Sequence, residues 1–100
     1  MNSGLSAEEL VEIVDCLKQY PAIKQAILFG SRAKGNFQPG SDVDIAILGG
    51  TYQDTLALSV TLNEETLLPY KFDVITYETI TSRALRDNID RIGLPLLPAE

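Results

Sequence analysis

"FGSRAKGNFQPGSDVDIAIL", residues 29–48, sets Gly30-Ser31 at the end of one apolar run and Asp42-Val43-Asp44 at the start of the next. Ala26 to Phe29 reads as a short buried strand stopped by Gly30, and Val43 to Leu48, closed by Gly49-Gly50, reads as a second. Alternate residues of a strand point to one face, so Asp42 and Asp44 project together, about 6.6 Å apart at ~3.3 Å per residue. With no cation beside it in sequence such a pair repels itself, and bound Mg²⁺ is the usual remedy. Taken alone, Asp-x-Asp after Pro39-Gly40 is also what a solvated turn looks like. The glycine and serine change the reading. Gly30 lets the backbone approach a ligand closely, and Ser31 at a helix N-terminus offers a hydroxyl and free N–H groups to a phosphate. Arg32 and Lys34 add positive charge at the same turn. Gly-Ser, ten residues, then Asp-x-Asp arises by chance in roughly one chain in a thousand of this length, so the combination is specific where neither half is.

The rest of the chain narrows the chemistry. One hundred residues suit one domain, 1–100, with one core. Hydrophobic residues at 45% and charged residues at 22% match ordinary globular usage. Eight Lys and Arg against fourteen Asp and Glu leave a net charge of -6, which argues against direct, sequence-independent binding to DNA or RNA. Cys16 is the single cysteine, so no internal disulfide forms, and it reads as packing on a helix. Glu8, Glu9 and Glu12 near the start oppose a secretory signal, and no apolar run approaches the roughly 18 residues of a membrane span. A cytoplasmic location without a membrane partner is the expectation. The absence of histidine excludes a serine-hydrolase triad and His-ligated zinc, leaving carboxylates, hydroxyls, Lys and Arg to do any chemistry.

Ser6 with Glu9 has capping-box spacing, Leu5 and Leu10 suit a hydrophobic staple, and Leu10, Ile13, Val14 and Leu17 repeat at helical spacing. With Pro21 discouraging helix at Tyr20, the first helix spans about 6 to 19. "FDVIT", 72–76, reads as a third strand, and Thr79 to Asn88 as a last helix with Ile80, Ala84 and Leu85 on one side. Gly93 and Pro95 end regular structure. The apolar tail Ile92, Leu94, Leu96, Leu97 suits either a docking surface or a chain end packed on its own core. Between Thr51 and Leu68 the pattern is divided: Leu56, Leu58, Val60 and Leu62 alternate like a strand, while Thr51 with Asp54 and Glu64-Glu65 suit a helix.

"GSRAKGNFQPGSDVDIAI" resembles the signature of the minimal nucleotidyltransferases of the DNA polymerase β superfamily. The resemblance implies that Gly30, Ser31 and Arg32 bind the triphosphate of ATP. It also implies that Asp42 and Asp44 hold two Mg²⁺ and that a third carboxylate from a later strand, here Asp73, completes the metal site and the catalytic set. Topology then decides the ambiguous segment. Ser31 closes its strand and Asp42 opens the next, so both face one phosphate only if those strands are antiparallel. Asp73 also opens its strand, so it meets Asp42 and Asp44 only if those two strands are parallel. Parallel neighbours need a crossover of a dozen or more residues, and the 23 from Gly49 to Lys71 supply it, with a helix at 51 to 65. The expected fold is an α/β (α+β) polymerase-β-like nucleotidyltransferase core, a mixed three-stranded sheet backed by helices.

Small units of this superfamily are often antitoxins that transfer AMP from ATP to a tyrosine or similar hydroxyl of a HEPN-domain toxin. The resemblance therefore implies a Mg-dependent nucleotidyltransferase, a protein adenylyltransferase with a HEPN-type toxin as partner in a hetero-oligomer. Two other readings stay open: a non-catalytic antitoxin that neutralises the toxin by occlusion, and a small-molecule nucleotidyltransferase. The tail is similar to those antitoxins at Gly93 but lacks the tyrosine common shortly after it.

Overall fold

In a computed structural model, which describes residues 3–97, the capping box at the N-terminus is formed in both directions. The Glu9 N–H donates to the Ser6 hydroxyl at 3.1 Å, and the Ser6 N–H donates to the Glu9 carboxylate at 2.9 Å. They start helix α1, Ala7–Leu17, which buries Ile13, Cys16 and Leu17. The strands follow the expected order: β1 is Ile23–Phe29, β2 is Val43–Gly49 and β3 is Phe72–Thr76. β1 and β2 are antiparallel, and β2 and β3 are parallel. The crossover between β2 and β3 is helix α3, Tyr52–Glu64, and between β1 and β2 lies a single turn, α2, Ser31–Lys34. Thr51 caps α3 with Asp54 in a second capping box.

Leu58 and Leu62 of α3 point into the core, whereas Leu56 and Val60 are 52% and 47% exposed. The inward stripe is completed by two buried hydroxyls: Thr55 bonds the Thr76 hydroxyl at 3.0 Å, and Thr61 bonds that of Tyr20 at 2.7 Å. Half of the helix's core face is therefore polar in sequence and satisfied in structure, which is why its leucines alternate like a strand's.

The structure corrects two expectations and decides one that the sequence left open. The sheet has four strands, in the order β3-β2-β1-β4, because Leu94–Pro95 forms a short β4 antiparallel to β1. Pro95 is accommodated because β4 is an edge strand, where a missing N–H leaves no gap in the ladder. Beyond it the Leu96 N–H donates to Ala26 O at 2.8 Å, and the Gln25 side chain bonds both the N–H and the carbonyl of Leu97. Second, where the sequence left the tail open between a docking surface and packing on its own core, Leu94, Leu96 and Leu97 pack on the core formed by α1, α3 and the sheet. Third, the last helix, α4, is Arg83–Ile92, not 79–88. Tyr77–Thr79 makes a separate 3-10 turn, and the true cap is Ser82, whose hydroxyl accepts from the Leu85 N–H. The face that α4 buries is Leu85 with Ile89, while Ala84 is exposed.

The sheet has a helix layer on each side. Ala26, Leu28, Val43, Ile45, Ile47 and Phe72 pack under α1 and α3, while Phe29 and Ala46 pack under Ile89 of α4. No described helix is long and apolar enough to cross a membrane.

Candidate active site

Strand alternation decides where the acids go. Val43, Ile45 and Phe72 point to the α1 and α3 side, so Asp44 and Asp73 point to the side of α4, as do Ala46 and Ile75 further along the same strands. In the parallel ladder Asp44 is the direct register partner of Asp73, and on its other side it faces Phe29, the last residue of β1. Neighbouring strands lie about 4.8 Å apart, so the two carboxylates stand side by side at the starts of β2 and β3. Asp42 precedes Asp44 by two residues and is exposed, as is Asp73, while Asp44 is half-buried.

This crowding has an electrostatic consequence. Burial raises the Asp44 carboxyl above the ordinary aspartate value, and the negative charges of Asp73 and Asp42 raise it further. No basic side chain contributes to the shift. Gly30 follows Phe29 at the corner where β1 meets α2, with φ 76° and ψ -154°, a conformation open essentially to glycine alone. A β-carbon there would also collide with Asp44 Oδ2. The backbone of the Gly30-Ser31 turn thus passes directly over the central carboxylate. Ser31, half-buried, begins α2, whose first N–H groups have no intrahelical acceptor.

The donor set is all carboxylate oxygen, of one sign and mutually repelling, which is the chemistry that hard divalent cations favour. Among the described residues no three such groups are already drawn in to the span of one ion. Asp42 and Asp73 are exposed beside the half-buried Asp44, and an all-carboxylate set at one end of the sheet fits the group that the resemblance implies.

Arg32 is placed elsewhere, and the expectation that it holds phosphate is corrected. Its side chain is only 1% exposed, and its guanidinium donates to the carbonyls of Ser3, Pro39 and Ser41. Burial among carbonyls removes it from any ligand beside Ser31. Lys34 is exposed at the end of α2.

The family model described as polymerase beta, nucleotidyltransferase, matches residues 11–98. The chain belongs to the polymerase beta nucleotidyltransferase family. Three solved structures share the nucleotidyltransferase fold with it. A toxin-antitoxin with AMP-PNP is 23% identical, with a TM-score of 0.73 over 91% of this chain and 74% of that one. A tri-AMPylated Shewanella oneidensis HEPN toxin in complex with an MNT antitoxin is 21% identical, with a TM-score of 0.66 over 90% of this chain and 70% of that one. The toxin-antitoxin MntA-HepT is also 21% identical, with a TM-score of 0.65 over 90% and 70%. No curated protein matches the chain.

One contributor to the candidate site carries no signal in the sequence. The Asn63 side chain, near the end of α3, donates to Phe72 O at 3.0 Å and accepts from the Phe72 N–H at 2.8 Å. It thereby takes the place of a neighbouring strand at the outer edge of β3, immediately before Asp73. Asn63→Ala leaves both backbone groups without this partner and is expected to destabilise the protein by about 1–3 kcal/mol. Chemical denaturation measures the loss, and hydrogen exchange is expected to speed up first at the Phe72 amide.

Proposed function

We propose that the protein transfers AMP from ATP to a hydroxyl, a tyrosine hydroxyl above all, of a HEPN-type toxin, and so acts as its antitoxin, with the chain working as one domain. The observation that carries this reading is the pairing of Asp44 with Asp73 across a parallel ladder, beneath the Gly30-Ser31 turn and two residues from Asp42. The fold neighbours support the partner and the donor, since one holds a tri-AMPylated HEPN toxin and another AMP-PNP. In this assignment Asp42, Asp44 and Asp73 hold two Mg²⁺, and Gly30 and Ser31 hold the β- and γ-phosphates. Bound cations supply Lewis-acid stabilisation of charge on the phosphoryl oxygens and offset much of the net charge of -6. The acceptor oxygen forms a bond to the α-phosphorus while the bond from that phosphorus to the bridging oxygen breaks, and pyrophosphate leaves. The acceptor proton passes to a carboxylate oxygen of Asp73, the most exposed of the groups beside Asp44 that lie within the sheet.

A second reading, neutralisation by contact, is favoured by one feature of the surface. Tyr52, Leu56 and Val60, at four-residue spacing along α3, are 67%, 52% and 47% exposed and form an apolar stripe that the described residues leave uncovered.

One experiment separates the two. The purified protein, a HEPN-type partner, Mg²⁺ and ATP labelled at the α-phosphate are combined, and the label on the partner is read. Label on the partner with the wild type, lost with Asp42→Ala or with a chelator, supports transfer. Neutralisation of the partner by unlabelling Asp42→Ala supports contact, and equal labelling by wild type and Asp42→Ala overturns the site.

A further inference from the structure

We infer that Arg32 is a positioning residue that locks the turn bearing Asp42 to the Gly30-Ser31 turn, so that the two halves of the site form one rigid body. The inference rests on the metal-binding reading of Asp42, Asp44 and Asp73. Arg32 is covalently next to Ser31, and both its Nε and Nη2 donate to Ser41 O, at 3.2 and 3.0 Å. Ser41 is the residue before Asp42. Nη2 also donates to Pro39 O at 3.3 Å, and Nη1 donates to Ser3 O at 2.9 Å. The plane of the guanidinium is packed by two rings, Phe37 at 5.2 Å and Tyr70 at 4.7 Å. Tyr70 is anchored in turn by its hydroxyl, which donates to the Glu9 carboxylate, the same group that closes the capping box of α1. Gly4, with φ 76°, completes the enclosure, because a β-carbon there would meet Phe37 and Arg32 Nη1.

Burying a guanidinium without a carboxylate in contact is costly, and an apolar side chain would fill the same space at less cost. What the apolar side chain lacks is the planar fork that ties three separate carbonyls at once. Lysine lacks it too, since its ammonium is a single point on a flexible stem. The three carbonyls belong to the N-terminal segment and to the loop that delivers Asp42, and Tyr70 lies just before β3 and Asp73. Arg32 is thus bonded or stacked to the segments leading into two of the three acids, while adjoining the serine of the phosphate-binding turn.

The test uses the full chain and two variants, Arg32→Lys and Phe37→Leu. Thermal melting, Mn²⁺ titration by electron paramagnetic resonance without nucleotide, and kcat and KM for ATP are measured on each. Arg32→Lys is expected to weaken Mn²⁺ binding and to lower kcat by about 10–100-fold each, the range found when groups behind metal ligands are removed, with KM for ATP nearly unchanged. Phe37→Leu keeps all of the arginine's hydrogen bonds and opens one face of the stack. It is expected to give a smaller loss of the same sign, and it carries the test if Arg32→Lys does not fold. A rise confined to KM would make Arg32 a phosphate ligand and overturn the inference. So would a lower melting temperature with wild-type Mn²⁺ affinity and kcat, which is the signature of a purely structural role. If the wild type binds Mn²⁺ and the variants bind it more weakly, the inference stands even where no AMP is transferred and the proposed activity fails. If the wild type transfers AMP and both variants bind Mn²⁺ as tightly as it does, the activity stands and the inference falls.

Discussion

Asp44→Asn is expected to lower AMP transfer by about 10³-fold or more and, in the presence of a chelator, to raise the melting temperature at neutral pH. The two effects come from one cause. Asp44 is the carboxylate that both of the others crowd, half-buried between Phe29 and Asp73 in the ladder. In the proposed mechanism a cation held there would stabilise transition-state charge by several kcal/mol, and each 1.36 kcal/mol is a factor of ten in rate. Asparagine keeps the shape but removes the charge that would hold the ion. The stability effect has the opposite sign because the carboxyl is raised above its unfolded value, by burial first and by Asp73 and Asp42 next. A raised acid contributes stability while it is protonated, below the unfolded value of about 3.8. That contribution disappears as pH rises through the folded value, so at neutral pH the charged Asp44 opposes folding. The gain from Asp44→Asn is therefore largest near neutrality and shrinks toward pH 4. Melting curves in chelator across that range check the sign, and a variant less stable than wild type at neutral pH would contradict it. Adding Mg²⁺ reverses the comparison, since the wild type then gains from binding and the variant does not.

Gly30→Ala is expected to reduce both stability and rate. Its backbone sits at φ 76° and ψ -154°, where a side chain costs about 1–3 kcal/mol. For a domain of this size that corresponds to a fall of roughly 5–20 °C in melting temperature. The new β-carbon would also displace Asp44 Oδ2. Misplacing a reacting or ligating group by about 1 Å is worth about 10²-fold in rate, which is the loss expected for the folded fraction. The double variant Gly30→Ala with Asp44→Ala separates the two causes. Removing the carboxylate removes the collision, so the alanine at position 30 is expected to cost less stability in that background. Equal costs in both backgrounds would place the whole effect in the backbone and deny the close approach.

The site was legible where topology forces neighbours together. A strand that ends in Gly30-Ser31, a strand that begins with Asp42 and Asp44, and a later strand that begins with Asp73 have one arrangement that gathers them, antiparallel then parallel. The structure has that arrangement, with Asp44 and Asp73 in register. The crossover helix followed from the same constraint, although its own residues argued against it. Thr55 and Thr61 supply half of its buried face, and only their partners Thr76 and Tyr20 explain why hydroxyls sit there. The misassignment of Arg32 has a similar origin. A cation beside a Gly-Ser turn reads as a phosphate ligand, and nothing local shows that its donors are taken by carbonyls at residues 3, 39 and 41. Asn63 and β4 were hidden for the same reason. Each depends on a backbone group brought close only by the finished fold, Phe72 for the one and Leu28 with Ala26 for the other.

The fate of the phosphorus atoms of ATP tests the central claim most directly. The protein and its partner are incubated with Mg²⁺ and ATP labelled at the α-phosphate in one sample and at the γ-phosphate in another. The proposed attack at the α-phosphorus, with Asp42, Asp44 and Asp73 as its acidic groups, predicts that α-label becomes covalently bound to the partner while γ-label leaves with pyrophosphate. Transfer of γ-label to the partner, or α-label transferred equally well by Asp44→Asn, would contradict the account.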